Sequence, residues 1–228
     1  MSFVLVIAAH PDDEVLGCGA TMARHADAGD TVDVVIVAEG ETSRHDASSA
    51  GAESGVAALR EAAIAAAKVL GTREPIFLGL PDNRLDSIDM LDLIKMIDRA
   101  TSALRPDVIY THSPSDLNID HRLVANAVNT VFRPLPDATF SAVYQFEVLS
   151  SSEWADPAMG PGFRPDYFVN ATEYLDRKIE ALTAYESEMR PFPHSRSYEA
   201  VSVLAKVRGC AAGLEAAEAF ETVRRIAR

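Results

Sequence analysis

The sequence is poor in cysteine and in basic residues, and each shortage excludes a class of protein. Its 228 residues include only two cysteines, Cys18 and Cys210, which lie near opposite ends of the chain. That number allows neither a disulfide framework nor a cysteine-based zinc module. Lys and Arg number 21 against 34 Asp and Glu, so the net charge is −13. Nonspecific nucleic-acid binding and docking on anionic membranes rest on basic patches, so this charge argues against both.

The apolar N-terminal run also lacks the features of a targeting segment. Residues 1–9 carry no basic residue and give way at once to the polar residues that begin at His10. A run of this length is neither a signal peptide nor a membrane span, and we therefore expect a cytoplasmic protein. The composition, 48% hydrophobic and 24% charged, is that of a folded protein. With no internal repeat or low-complexity linker, a single domain over residues 1–228 is the simplest prediction.

Strand and helix patterns alternate through the first part of the chain. Short apolar or Val/Ile-rich runs predict strands at residues 3–9, 31–38, 75–78 and 107–111. Helical spacing of apolar residues predicts helices at residues 14–28, 57–70, 87–104 and 121–132. This alternation predicts an α/β fold: a Rossmann-like three-layer α/β/α arrangement around a mostly parallel sheet.

The pattern changes after residue 132. Residues 140–148 and 167–170 look like strands at an antiparallel edge, and residues 172–187 and 200–220 look like C-terminal helices. We expect residues 133–228 to add edge strands and helices that complete the functional site.

A dense polar motif follows the first predicted strand. His10, Asp12, Asp13 and Glu14 fall within five positions, with Pro11 between them. The carboxyl ends of strands are where ligands bind in open α/β sheets. Asp12 and Asp13 could instead only cap the following helix, but capping does not account for His10. A dinucleotide site is disfavoured because the carboxylates stand where a pyrophosphate would bind.

A second polar segment follows the fourth predicted strand and should emerge at the same edge of the sheet. It runs from His112 to His121 and contains Asp116 and Asp120. A His and carboxylates from this loop, meeting a His and an Asp from the first, would form a mixed nitrogen and oxygen site. Such a ligand set suits Zn²⁺ with one position left for water. Taken alone, His121 could equally be a helix-start residue bonded to backbone.

The two motifs together resemble the PIG-L (LmbE-like) zinc-dependent N-deacetylases. The segments that carry the resemblance are Ala9-His-Pro-Asp-Asp-Glu14 and Asp116-Leu-Asn-Ile-Asp-His121. It extends over most of the chain through Gly40-Glu41, Arg60-Glu61 and residues 77–82 and 193–197. The resemblance implies an LmbE-like fold and removal of acetate from an N-acetylated amino sugar or its conjugate. It also implies Zn²⁺ as cofactor, although a His₂Asp site accepts Fe²⁺, Co²⁺ or Mn²⁺ as well.

Individual roles follow from the resemblance. His10, Asp13 and His121 match the family's metal ligands, and Asp12 matches the general base that takes a proton from the water at the metal. Adjacent residues in a first helical turn diverge by about 100°, so Asp13 can face the metal while Asp12 faces the water. Asp120 could orient a ligand imidazole or simply cap a helix.

Asn118 departs from the family pattern. It stands where some members have a His that stabilises the oxyanion or protonates the leaving amine. An Asn amide can donate a hydrogen bond but cannot shuttle a proton. We therefore consider His112 and His194 as sources of the acid, and either could be an ordinary loop histidine.

Substrate contacts are predicted at Arg44, Arg84, His112 and Arg196. Arg44 and its neighbour His45 lie in an acidic loop where a solvated role is the alternative. Arg196 belongs to a small basic island with Arg190 and His194, which could bind a phosphate or sugar hydroxyls or pair with local acids.

Three interpretations of function remain open on the sequence. The first is a zinc deacetylase of amino sugars, the second a metal amidohydrolase of another amide, and the third a non-catalytic sugar- or metal-binding protein. The intact base Asp12 weighs against the third, because a binding protein does not need one. The expected partner is a small N-acetylated amino sugar or conjugate, and a homo-oligomer is compatible with the sequence.

Overall fold

A single sheet organises the computed structural model, which describes residues 1–41 and 50–227. Its seven strands lie in the order β3-β2-β1-β4-β5-β7-β6. Neighbours from β3 to β5 are parallel, whereas β7 runs antiparallel to both β5 and β6. The strands are β1 (Phe3–Ala8), β2 (Thr31–Ala38), β3 (Ile76–Leu80), β4 (Val108–His112), β5 (Ala142–Phe146), β6 (Tyr167–Asn170) and β7 (Ala217–Arg225).

The connections between the parallel strands are helical. The helices are α1 (Asp13–Asp27), α2 (Ala50–Leu70), α3 (Met90–Thr101), α4 (Ile119–Val131), α5 (Leu175–Thr183) and α6 (Tyr198–Ala212). Short 3₁₀ helices occur at Leu85–Ser87, Ser152–Trp154 and Pro157–Met159. Within residues 1–41 and 50–227, every helix is too short or too polar to span a bilayer.

Both faces of the sheet are covered, as β1 shows most clearly. Val4 and Val6 point into a core shared with α1, α2 and α5, whereas Leu5 and Ile7 point into a second core shared with α3 and α4. A parallel strand buried on both faces reads as a continuous apolar run, which is why residues 3–9 show no polar alternation. The α/β fold class and the mostly parallel sheet are confirmed.

The predicted C-terminal helix over residues 200–220 is wrong in its second half. Helix α6 ends at Ala212, Gly213 adopts a left-handed conformation with φ 71°, and the chain returns as β7 from Ala217. A glycine past the last turn of a helix takes this conformation without the steric cost of a Cβ. Gly213 is therefore the sequence signal for the end of the helix. The alanine-rich composition on both sides of it favours a helix and does not indicate the strand that follows.

The reversal between α6 and β7 predicts a stability effect at Gly209. A Cβ at this position would lie 2.6 Å from the Leu214 carbonyl oxygen and 2.8 Å from the Ala216 Cα. Alanine normally favours a helix over glycine, but here the neighbours are backbone atoms that cannot rotate away. We expect Gly209→Ala to lower the free energy of unfolding by about 1–3 kcal/mol in denaturant titrations. Cys210→Ala, at an exposed neighbouring position, is the control and should change it little.

Candidate functional site

The ends of β1 and β4 bring the two polar motifs together. His10 follows β1, Asp13 begins α1, and His121 lies in the first turn of α4; all three are buried. Asp13 Oδ2 lies 3.2 Å from His10 Nδ1 and 3.1 Å from His121 Nε2. The three side chains thus present one oxygen and two nitrogens to a common point, as the sequence predicted.

The two separations measured from Asp13 match those between ligands in tetrahedral coordination. Ligands about 2.05 Å from zinc at tetrahedral angles are about 3.3 Å apart. The two measured separations from Asp13 fall close to that value, and the three residues form a group that could hold a metal. A second group, His10, Asp82 and Asp120, overlaps the first through His10. It offers mainly oxygen, whereas the first offers two imidazoles, the donors that zinc favours.

A carboxylate lies behind each of the two histidines. Asp120 Oδ2 is 3.1 Å from His10 Nε2, the nitrogen that faces away from Asp13. Asp116 Oδ1 is likewise 3.2 Å from His121 Nδ1. Carboxylates in this position orient imidazole ligands and make them more basic. This geometry agrees with the orienting role predicted for Asp120; the cap of α4 is instead Asn118, whose Oδ1 accepts from the Asp120 N–H at 2.8 Å.

The carboxylates create an environment that favours positive charge. Burial acts to lower the pKa of His10, but hydrogen bonds to Asp120 and Asp13 outweigh it and raise the pKa to about 10. For His121, burial is again outweighed, by Asp13 and Asp116, and the pKa rises to about 9. Carboxylates that stabilise the protonated forms of these two histidines would also stabilise a metal cation bound in place of the protons.

His112 does not occupy the place predicted for it. It is fully buried, its ring stacks on His121 at 4.0 Å between centroids, and its Nε2 accepts the Ala9 N–H at 2.8 Å. Burial and the neighbouring His121 lower its pKa to about 3. As the last residue of β4, His112 points into the protein and packs against His121. It does not line the cavity, so it is not placed to contact substrate or to supply the acid.

Asp12 has an unusual backbone that other buried groups stabilise. Its φ is 102°, a region that L-residues rarely adopt, and its N–H donates to Glu14 Oε2 at 3.0 Å. Tyr185 Oη in turn donates to the other Glu14 oxygen at 2.5 Å. The Asp12 side chain makes no cap hydrogen bond to α1, so helix capping does not explain it. Strained residues held by surrounding contacts are frequent at functional sites.

The Asp12 carboxylate faces a cavity and is paired with Arg196. Arg196 Nη1 donates to Asp12 Oδ2 at 2.8 Å and lies 3.6 Å from Glu188. Burial raises the pKa of Asp12 to about 7, although Arg196 acts to lower it. A carboxylate with a pKa near neutrality is well matched to general-base catalysis. The predicted Arg196 therefore does lie at the site, where it contacts Asp12.

The cavity has a volume of about 100 Å³ and is lined almost entirely by polar groups. The first motif supplies residues 10–13, and the loop after β3 supplies Asp82 and Asn83. Asn118 also lines it, and its Nδ2 donates to Asn83 Oδ1 at 3.0 Å. The remaining lining residues are Gly40, His121, Ser150, Ser151, Glu188 and Arg196.

Two of the other predicted contacts, His194 and Arg84, do not line the cavity. His194 is exposed and lines an adjoining pocket of about 200 Å³ that shares Ser150, Glu188 and Arg196 with the cavity. Arg84 is exposed and does not line the cavity, whereas its neighbours Asp82 and Asn83 do. Arg44 and His45 lie outside the described residues. Asp82 lines the cavity but is not among the predicted site residues. Its place directly after a predicted strand is the signal that could have identified it.

The matching family model and two sequence relatives are described as deacetylases. The family model described as PIG-L, GlcNAc-PI de-N-acetylase, matches residues 5–132. An uncharacterized deacetylase of Escherichia coli, YaiS, is 28% identical over 81% of this chain and 90% of its own. A diacetylchitobiose deacetylase of Thermococcus kodakarensis is 25% identical over 81% of this chain and 69% of its own.

A solved structure confirms the fold and shows that the fold hosts other chemistry. The 4-carboxy-2-hydroxymuconate hydratase GalB of Pseudomonas putida superimposes with a TM-score of 0.75 at 23% identity, over 100% of this chain and 99% of its own. Fold alone therefore does not define the reaction. The matched region of the family model covers more than half of the 228 residues and contains both motifs of the site. The chain belongs to the PIG-L family.

Proposed function

We propose that this chain is a metal-dependent N-deacetylase that releases acetate from an N-acetylated amino sugar or its conjugate. The observation that carries the proposal is the convergence of a candidate base, Asp12, and a candidate metal group on one polar cavity. The two sequence relatives, from Escherichia coli and Thermococcus kodakarensis, are described as deacetylases, which supports amide hydrolysis as the reaction.

His10, Asp13 and His121 are the residues that would hold the cation. Two imidazoles and one carboxylate favour zinc, and the same set accepts Fe²⁺, Co²⁺ or Mn²⁺. Bound there, the cation would polarise the amide carbonyl and stabilise the charge that develops on its oxygen.

Asp12 would move the protons of the reaction. Its carboxylate takes a proton from the attacking water, and the resulting carboxylic acid can return that proton to the departing amine. Arg196, 2.8 Å from Asp12 Oδ2, holds the carboxylate in a fixed orientation. Asn118 lines the same cavity and is placed to donate a hydrogen bond from Nδ2 to the carbonyl oxygen. His194, in the adjoining pocket, would then contact the remainder of the substrate.

The C-terminal part of the chain takes part in the same site. Ser150, Ser151, Glu188 and Arg196 line the cavity together with residues of the parallel strands' loops. We therefore propose that residues 1–228 act as one catalytic domain in which residues 133–228 complete the site.

A direct test measures acetate and free amine released from a panel of acetamido sugars by zinc-loaded protein. The panel contains N-acetylglucosamine, N,N′-diacetylchitobiose and a nucleotide-linked N-acetylglucosamine, with N-acetylated amino acids as non-sugar amides. Release of both products from at least one sugar is the expected result. Release from the amino acid amides alone would place the activity in another amide class, and no release from any would refute the proposal.

The carboxylate behind His121 yields a further prediction. Asp116 is held by the hydroxyls of Ser151 and Ser152 and accepts the Asn118 N–H at 2.8 Å, so its position is fixed. Asp116→Asn should weaken zinc affinity by about 10–100-fold, because His121 loses the charged group that orients it and makes it basic. The measurement is competition with a chromogenic chelator, and exposed Asp86→Asn is the matched control. Equal zinc affinity in the two variants would show that Asp116 does not contribute to metal binding.

A further inference from the structure

Trp154 is an exposed aromatic residue beside the cavity. It is the only tryptophan in the chain, and 51% of its surface is accessible. It ends the 3₁₀ helix Ser152–Trp154, three residues after Ser151, which lines the catalytic cavity. Its indole lines the adjoining pocket with His194, whose ring lies 5.7 Å away in an edge-on arrangement.

The turn that carries Trp154 is tied to the candidate metal group. Ser152 Oγ donates to Asp116 Oδ2 at 2.6 Å and accepts the Val148 N–H at 2.8 Å. Asp116 in turn lies against His121. Glu153 accepts the Ser150 N–H at 2.8 Å, which closes the turn from the other side. The backbone that carries the indole is therefore held relative to the reacting centre, and an anchor on a preorganised backbone binds ligands at lower entropic cost.

The cavity and a larger adjoining pocket are lined in part by the same residues. The volume of the cavity is about 100 Å³. The adjoining pocket of about 200 Å³ shares Ser150, Glu188 and Arg196 with it, so a ligand that leaves the cavity passes directly into the pocket.

The charges of the pocket favour a neutral ligand. Arg196 is paired with Asp12 and Glu188, and Glu188 itself lines the pocket. Arg190 Nη1 donates to the carbonyl oxygens of Ser187 and Met189 at 2.6 and 2.8 Å. Arg196 is thus paired with two carboxylates, which disfavours a phosphate or carboxylate ligand at its guanidinium. An indole face beside polar side chains is instead complementary to a pyranose ring, with its apolar C–H face and its polar rim.

We propose that Trp154 and His194 form a subsite for a second sugar ring that is linked to the reacting N-acetylated sugar. The inference rests on the proposed function and specifies its substrate class: an acetamido disaccharide is preferred to the free monosaccharide. In this arrangement the acetamido group enters the cavity, and the second ring stacks on the indole.

The kinetic test compares N,N′-diacetylchitobiose with N-acetylglucosamine in zinc-loaded protein. Trp154→Ala should lower kcat/KM for the disaccharide about tenfold more than for the monosaccharide, the scale of one lost stacked ring. Trp154→Phe keeps an aromatic face and should retain most of the preference. Phe192→Ala is the control, because it removes another exposed aromatic side chain that does not line the pocket. It should leave the ratio of the two kcat/KM values unchanged.

The single tryptophan provides a second readout that does not depend on turnover. In an Asp12→Asn background, which slows hydrolysis, adding the disaccharide should change the intrinsic tryptophan fluorescence, and the monosaccharide should have a much smaller effect. Equal losses of kcat/KM for both sugars in Trp154→Ala, or an unchanged emission with the disaccharide, would overturn the subsite while acetate release continued. Absence of acetate release from both sugars by the wild-type protein would overturn the proposed function, and the subsite would fall with it.

Discussion

Replacing Asp12 with asparagine should lower kcat for acetate release by about 10²–10⁴-fold, the usual cost of losing a general base. Asparagine has nearly the same shape, and its carbonyl oxygen can still accept a hydrogen bond from Arg196 Nη1, now 2.8 Å from Asp12 Oδ2. What it cannot do is accept a proton from water. Burial raises the pKa of Asp12 to about 7 in the wild type. A pKa close to the working pH allows the carboxyl group both to take and to return that proton.

The prediction separates chemistry from metal binding. Asp12 is not one of the three residues that present donors to the metal position, so zinc content should stay near one equivalent in Asp12→Asn. The measurements are kcat from amine release, metal by elemental analysis, and thermal unfolding as a check on folding. Asp86→Asn, which changes an exposed carboxylate in the 3₁₀ helix Leu85–Ser87, should behave as wild type in all three measurements. Wild-type turnover in Asp12→Asn would mean that the base lies elsewhere.

Replacing His121 has the second large effect, and it should remove the metal itself. His121 Nε2, 3.1 Å from Asp13 Oδ2, is one of the two nitrogens of the candidate metal group, so alanine leaves that group with one nitrogen and one carboxylate. We expect dialysed His121→Ala to retain a small fraction of the zinc of the wild type and to release no measurable acetate. Elemental analysis after dialysis against a weak chelator is the measurement.

Two further variants make this result interpretable. His121→Ala also takes the imidazole away from the buried carboxylates of Asp13 and Asp116, which destabilises the fold. His121→Gln keeps a polar side chain of similar length and tests the metal in a less perturbed protein. His194→Ala removes an exposed histidine outside the cavity and should retain its zinc. Full retention of zinc in both His121 variants would contradict the ligand assignment.

Local sequence patterns predicted that the two polar motifs would lie together. The run before His10 and the run before His112 each show the apolar character of strands buried on both faces. Because parallel strands end at one edge of the sheet, the motifs after them had to meet, and they do. His112 was misplaced because a motif does not reveal which residue still belongs to the strand. As the last residue of β4, His112 points into the protein and stacks beneath His121.

The periphery of the site could not be predicted in this way. Arg196 lies 184 residues from the carboxylate that it contacts, and Ser151 lies 35 residues from Asp116. Their segments show neither strand nor helix periodicity, and only tertiary packing decides where such loops lie. Strand β7 was missed for a different reason: Gly213 ends a helix that composition alone would continue. The resemblance to a family supplied Asp12's role, and the structure added the Glu14–Tyr185 pair that holds its backbone.

The central claim is that one cation, held by His10, Asp13 and His121, supports amide hydrolysis with Asp12 as base. The most direct test strips the protein of metal with a strong chelator and then titrates it with Zn²⁺ while acetate and amine release from an acetamido sugar are followed. We expect no activity in the stripped protein, a linear recovery, and a plateau at one zinc per chain, with acetate and amine formed in equal amounts. Full acetate release by the stripped protein, with its metal content verified as nil, would contradict it.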